Sequence, residues 1–182
     1  MRRITKRIKM NPFILVLFIT QIFFGCAKEN QNIDTYESVH DQQSSDVVIT
    51  LTKKGNITAK IEAKLMKKNN QNLKLELKEN VKIDLYDENF KHKSIIRSGH
   101  AIVDEKENKI NAYDNVQVVS NDGKLLKADS LLWDNSEDKI FTESNLQFIT
   151  SNTDTLYGRG FESNIDLTDW IIYKPKGSIS NE

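Results

Sequence analysis

Between Glu79 and Thr150 the chain repeats itself, and the repeat limits what it can fold into. Glu79-Asn80-Val81-Lys82-Ile83, Asp114-Asn115-Val116-Gln117-Val118 and Ser144-Asn145-Leu146-Gln147-Phe148 share one order: polar, Asn, aliphatic, long polar, apolar. The second and third copies stand 30 residues apart, and Ile96-Arg97-Ser98, Leu126-Lys127-Ala128 and Leu156-Tyr157-Gly158 recur at the same interval. A fixed period of this length marks one supersecondary unit used several times. Apolar and polar residues alternate inside each copy, which is the period of a strand and not of a helix. The repeating unit is therefore expected to be a β-hairpin.

The same alternation extends beyond the repeat. Ile57, Ile61 and Leu65 share one face of a run whose other face carries Lys60, Glu62 and Lys64. Strands are expected at 47–52, 57–65, 73–77, 81–85, 93–104, 109–113, 116–120, 124–134, 139–142, 146–150, 155–162 and 168–173, with a tight turn at Asn121-Asp122-Gly123. The fold class is all-β, an elongated, twisted β-jellyroll of stacked antiparallel hairpins with open ends. Ile57, Ile61, Val81, Ile83, Val116, Val118, Leu146, Phe148 and Phe161 are expected to point into one shared interior. Any of them can equally be an ordinary core residue.

The N-terminus has a different character. Residues 1–25 hold Arg2, Arg3, Lys6, Arg7 and Lys9 with no acid, followed by an apolar run from Pro12 to Phe24. That run is too short for the roughly 20 residues of a spanning helix and fits a secretory signal. Gly25 precedes Cys26, the only cysteine, and Phe23-Phe24-Gly25-Cys26 resembles a bacterial lipobox, in which the cysteine carries lipid. A short uncleaved anchor is the alternative reading. Residues 26–46 are polar, broken only by scattered apolar residues such as Ile33, Tyr36 and Val39, and read as a lipidated flexible tether. Residues 47–182 form the β domain.

Composition and motifs exclude several functions. Beyond residue 25 the chain carries 21 basic against 26 acidic side chains, so no electrostatic case exists for nucleic acid. One cysteine makes no internal disulfide, and neither a zinc-ligand cluster nor a phosphate loop is present. No cofactor and no metal are expected. The three histidines form no pair at catalytic or ligand spacing, so an enzyme would need scattered carboxylates to converge with His100 in a cleft. Gly158-Arg159-Gly160 sits inside a strand pattern and reads as a bulge or a close packing point, not a dinucleotide fingerprint.

The lipobox-like Cys26, the alternating 57–65 run, the segment 81–87, the Asn115-Val116 and Asn145-Leu146 rungs and Lys174-Pro175-Lys176-Gly177 together resemble the LptC family, here in a lipoprotein form. That resemblance implies a non-enzymatic transfer protein at the periplasmic face of the inner membrane. It would accept lipopolysaccharide from an inner-membrane export ABC transporter and pass it to a soluble periplasmic β-jellyroll bridge protein. A continuous apolar trough would shield the acyl chains. The last strand, Trp170-Ile171-Ile172-Tyr173, is apolar and uncharged, as suits an edge that docks a partner strand. Alternatively, a strand near 47–51 folds back and covers it. A structural envelope lipoprotein with a packed interior remains the competing reading of the whole chain.

Overall fold

The computed structural model describes residues 42–69 and 71–177. Cys26, the 1–25 segment and most of the expected tether lie outside the described residues. Nine antiparallel strands follow one another in a single open sheet: β1 Gln42–Lys53, β2 Asn56–Asn69, β3 Lys74–Tyr86, β4 His92–Asp104, β5 Lys109–Ser120, β6 Leu125–Asp134, β7 Lys139–Ile149, β8 Thr155–Asn164 and β9 Trp170–Lys176. Each pairs only with its neighbours in sequence, so the sheet is not closed into a barrel.

The strands are fewer and longer than the dozen expected. Residues 74–77 and 81–85 are both parts of β3, and the paired segments of β5 and β7 are likewise continuous. The asparagine motif, where the expected strand segments were separated, is a bulge inside a strand. Glu79-Asn80 and Asp114-Asn115 take positive φ (62°, 55°, 66° and 56°). Both pairs coincide with register shifts: Lys78 to Val81 on β3, and Tyr113 to Val116 on β5. A third shift, Thr142 to Asn145, falls at the corresponding copy in β7. The partner motif lies on the even strands, giving pairs Ile83↔Ile96, Val118↔Leu126 and Phe148↔Leu156. One period of the sequence is thus one bulged hairpin. Bulges bend a strand and increase its local twist.

Aligned bulges crease the whole sheet. On one side lie the turns 54–55, 87–91, 121–124 and 150–154, and on the other 71–73, 105–108, 135–138 and 165–169. Groups from opposite sides nevertheless touch. The Ser94 hydroxyl at the start of β4 donates to the Ile165 carbonyl at 2.5 Å, and Lys93 Nζ lies 3.3 Å from Asp166. Lys53 Nζ donates to the Asn135 and Ser136 carbonyls at 3.0 and 2.9 Å. A strand of a dozen residues is about 40 Å long, so these meetings require the sheet to fold over on itself. Two half-sheets then face each other across one apolar core, with Leu77, Ile83, Ile96, Ile110, Val118, Leu126, Trp133, Ile140 and Phe148 almost fully buried.

Several strand boundaries differ from expectation, most at the two edges. β1 starts at Gln42, inside the stretch read as tether, because backbone pairing with the long β2 (Gln42↔Lys68, Ser44↔Met66) needs no apolar side chains. β9 runs on through Pro175 to Lys176, where the expected strand ended at Tyr173. An edge strand tolerates proline when its missing N–H faces away from the sheet.

The 165–169 loop is held to β4 by charge. Burial pushes the Asp166 carboxyl up, but hydrogen bonds from Thr168 and Lys93 outweigh it and hold the group below its ordinary 3.8. A carboxylate depressed in the folded state contributes stability above its unfolded value and loses it as pH falls through the folded one. Asp166→Asn is expected to lower Tm modestly at pH 6 and to narrow the gap to wild type below about pH 3.5. Thermal melts at the two pH values check this; an equal gap at both would show that the carboxylate contributes nothing.

Candidate functional site

The candidate site is the apolar interior and its two ends. Ile61, Val81, Ile83, Val116, Val118, Leu146, Phe148 and Phe161 all lie in one core cluster, none more than 5% exposed. They come from β2, β3, β5, β7 and β8, on both sides of the crease. Ile57 does not join them. It is 38% exposed and lines a small outer pocket with Tyr86 and Phe90. A register shift between Leu51 and Thr52 pairs Ile57 with Thr52 and turns it outward. Thr58 takes a buried place instead, its hydroxyl donating to the Leu51 carbonyl at 3.4 Å. Period-2 reading fails wherever a bulge intervenes.

The facing layers meet. Phe148 packs on Phe161 at a centroid distance of 5.3 Å and on Trp170 at 5.0 Å. The continuous trough implied at the sequence level is filled here by the protein's own side chains. At the ends, cover is incomplete. Val47, Ile49, Leu51 and Met66 on β1 and β2 pack against the core but are only partly buried, as are Leu156, Trp170 and Ile172 on β8 and β9. Sequence reasoning missed most of these end residues. Their alternation was visible, but their position at a mouth depends on which strands are terminal.

β9 is the last strand of the sheet, and β1 lies at the opposite edge, so β1 does not cover it. The four residues of the expected docking strand divide by face. Trp170 and Ile172 turn toward the core, while Ile171 and Tyr173 are 56% and 59% exposed. The Tyr173 hydroxyl donates to Glu162 Oε2 at 2.6 Å, and Lys139 Nζ donates to Oε1 at 2.5 Å. These two bonds, Lys139 first, hold Glu162 below its ordinary value; the same bond raises Tyr173.

The Gly158-Arg159-Gly160 segment does what its strand context implied. A Cβ on Gly158 would stand 2.4 Å from Ile172 Cγ2 and 2.9 Å from the Lys174 carbonyl, so the glycine lets β9 approach β8. Gly160 has φ +79° where β7 and β8 shift register, between the pairs Thr142↔Phe161 and Asn145↔Arg159.

Among the described residues no three His, Cys, Asp or Glu side chains gather at metal-binding distance, and no helix is long and apolar enough to cross a membrane. A family model described as lipopolysaccharide-assembly, LptC-related, matches residues 13–170. No curated protein matches the chain.

Proposed function

The chain belongs to the LptC-related family of lipopolysaccharide-assembly proteins, and from that premise we propose that it is a membrane-tethered transfer protein for lipopolysaccharide. It would take the lipid from an inner-membrane ABC transporter and deliver it to a soluble β-jellyroll partner docked on the β9 edge. One observation carries the reading: a single apolar core ends, at each terminal strand, in side chains that the fold leaves half covered. Exposing an acyl chain of a dozen carbons to water costs on the order of 10 kcal/mol. Edge strands also offer unpaired backbone groups for β-augmentation, which would align the core of one jellyroll with that of the next.

The interior is closed in this structure, so loading requires the two half-sheets to part and acyl chains to replace Phe148–Phe161 contacts. A structural envelope protein would show the same packed core, and that is the competing reading. The two separate on one experiment. With benzoylphenylalanine in place of Phe148, illumination of cells should crosslink lipopolysaccharide, and the same label at outward-facing Asn111 should not. Equal yields, or none at either site, would favour the structural reading.

We attach the domain to the membrane through a lipid on Cys26, with residues 1–25 as its signal. Cys26→Ser is expected to lose metabolic fatty-acid labelling entirely. Undiminished labelling would place the anchor elsewhere.

A further inference from the structure

The outer face of the half-sheet on the side of turns 87–91, 121–124 and 150–154 carries cations that make no ion pair among the described residues. Cross-strand pairing sets Arg97, Gln117, Lys127, Gln147, Tyr157 and Lys176 side by side on six successive strands. At about 4.8 Å per strand this row is roughly 24 Å long. The row continues through Lys82 on β3 to Glu62 on β2, so it is free of carboxylates from β3 to β9. A second short row beside it, Asn145, Arg159 and Lys174, adds two more cations.

The other half-sheet shows what an ordinary solvent face looks like. There Lys74, Asp104, Lys109, Asp134 and Lys139 form a row of alternating sign. Its members pair, Lys74 with Asp104 at 3.4 Å and Lys109 with Asp134 at 3.7 Å. Opposite charges across strands stabilise a sheet and like charges destabilise it. Among the described residues the Arg97, Lys127 and Lys174 side chains make no ion pair. Such a row stands out on a chain that is net acidic beyond residue 25.

The middle of the row is concave. A cavity of about 330 Å³ is lined by Asn115, Gln117, Lys127, Asn145, Gln147 and Tyr157, with Asp129 as the carboxylate at its wall. Each amide offers donors and an acceptor, which suits hydroxyl groups that both give and receive. Tyr157 is 51% exposed, and its hydroxyl lies 3.4 Å from Gln147 Nε2. Its ring presents a negative face to the C–H groups of a sugar. Lysine ammonium groups attract phosphate or carboxylate. The site is shallow and open to solvent, so it cannot enclose an acyl chain.

We propose that this outer face binds a saccharide bearing phosphate or carboxylate groups, and that its occupant is the headgroup of the glycolipid whose acyl chains enter the interior. This rests on the transfer reading above. The placement follows from β9, which turns Trp170 and Ile172 toward the apolar core and carries Lys174 and Lys176 exposed in the two outer-face rows. An amphiphile leaving at that edge would find an apolar surface on one side of the strand and a cationic surface on the other.

Titration of the full-length chain with a deacylated, phosphorylated lipopolysaccharide oligosaccharide tests the site without acyl chains. Binding is expected, weakened at least about tenfold in the Lys127→Gln, Lys174→Gln double variant and unchanged in a Lys91→Gln, Lys106→Gln control. No binding to wild type, or equal binding in both double variants, overturns the proposal. If charge-matched polygalacturonate binds as tightly as the oligosaccharide, the site takes free acidic glycans and the headgroup assignment falls. Crosslinking at Phe148 reports separately on the acyl chains, so either reading can fail alone.

Discussion

Phe148→Ala is expected to lower the unfolding free energy by about 3–5 kcal/mol, the usual cost of truncating a buried phenylalanine. Phe148 is fully buried and joins three elements at once. It lies on β7, on the far side of the crease from Phe161, and it touches both that ring and Trp170 of β9. Removing it deletes contacts between the two half-sheets, and the neighbouring bulged strands have limited freedom to collapse into the gap. Denaturant melts of wild type and variant check this. A loss under about 1 kcal/mol would mean that the layers are already loose at this point. Phe148→Leu, which retains much of the volume, should cost less than the alanine change.

Gly158→Val is expected to displace β9. The new Cβ would lie within 2.9 Å of the Lys174 carbonyl oxygen, a backbone atom that no rotamer change can move. Ile172 Cγ2, at 2.4 Å, can rotate away, but the carbonyl holds the strand apart. Overpacking of this kind costs about 1–3 kcal/mol, and β9 is held on one side only. The strain should therefore be relieved by releasing β9 while β1–β8 stay paired. Hydrogen exchange provides the readout: amides of residues 170–176 should exchange at least about tenfold faster, and those of β3 to β5 should not change. Uniform acceleration across the sheet would show that β9 is integral to global stability. Unchanged exchange in β9 would show that the close approach is dispensable.

These expectations also mark how far the sequence could be read. Alternation in Val116–Val118, Leu146–Phe148 and the 57–65 run was enough to identify strands, to assign most of the core and to recognise stacked hairpins. The asparagine motif was visible as a repeat, but its role was not. Asn at positive φ occurs in turns and in bulges alike, and only pairing to a neighbour tells them apart. That ambiguity split β3, β5 and β7 into pieces. The facing of Ile57 was lost for a related reason, since one shift of register moves a side chain from one face to the other. Gln42–Asp46 could not be read as strand because a backbone ladder leaves no trace in polar side chains. The cationic row was illegible as well. Arg97, Lys127 and Lys176 are far apart in the chain, and their alignment depends on six strand registers.

The closed interior bears most directly on function. Lipid entry demands that side chains in contact across the layers give way, starting where cover is thinnest. Trp170 sits at that place, partly buried beside Phe148, whereas Trp133 is 1% exposed. The chain has only these two tryptophans, so each can be read alone after changing the other to phenylalanine. Brominated acyl chains quench tryptophan only at close contact. The decisive measurement is the fluorescence of Trp170 in the full-length Trp133→Phe variant, titrated with lipopolysaccharide whose acyl chains carry bromine. The account predicts strong, saturable quenching of Trp170, abolished by excess unbrominated lipid. Bound lipid that leaves Trp170 unquenched would contradict it, because the acyl chains would then lie outside the jellyroll.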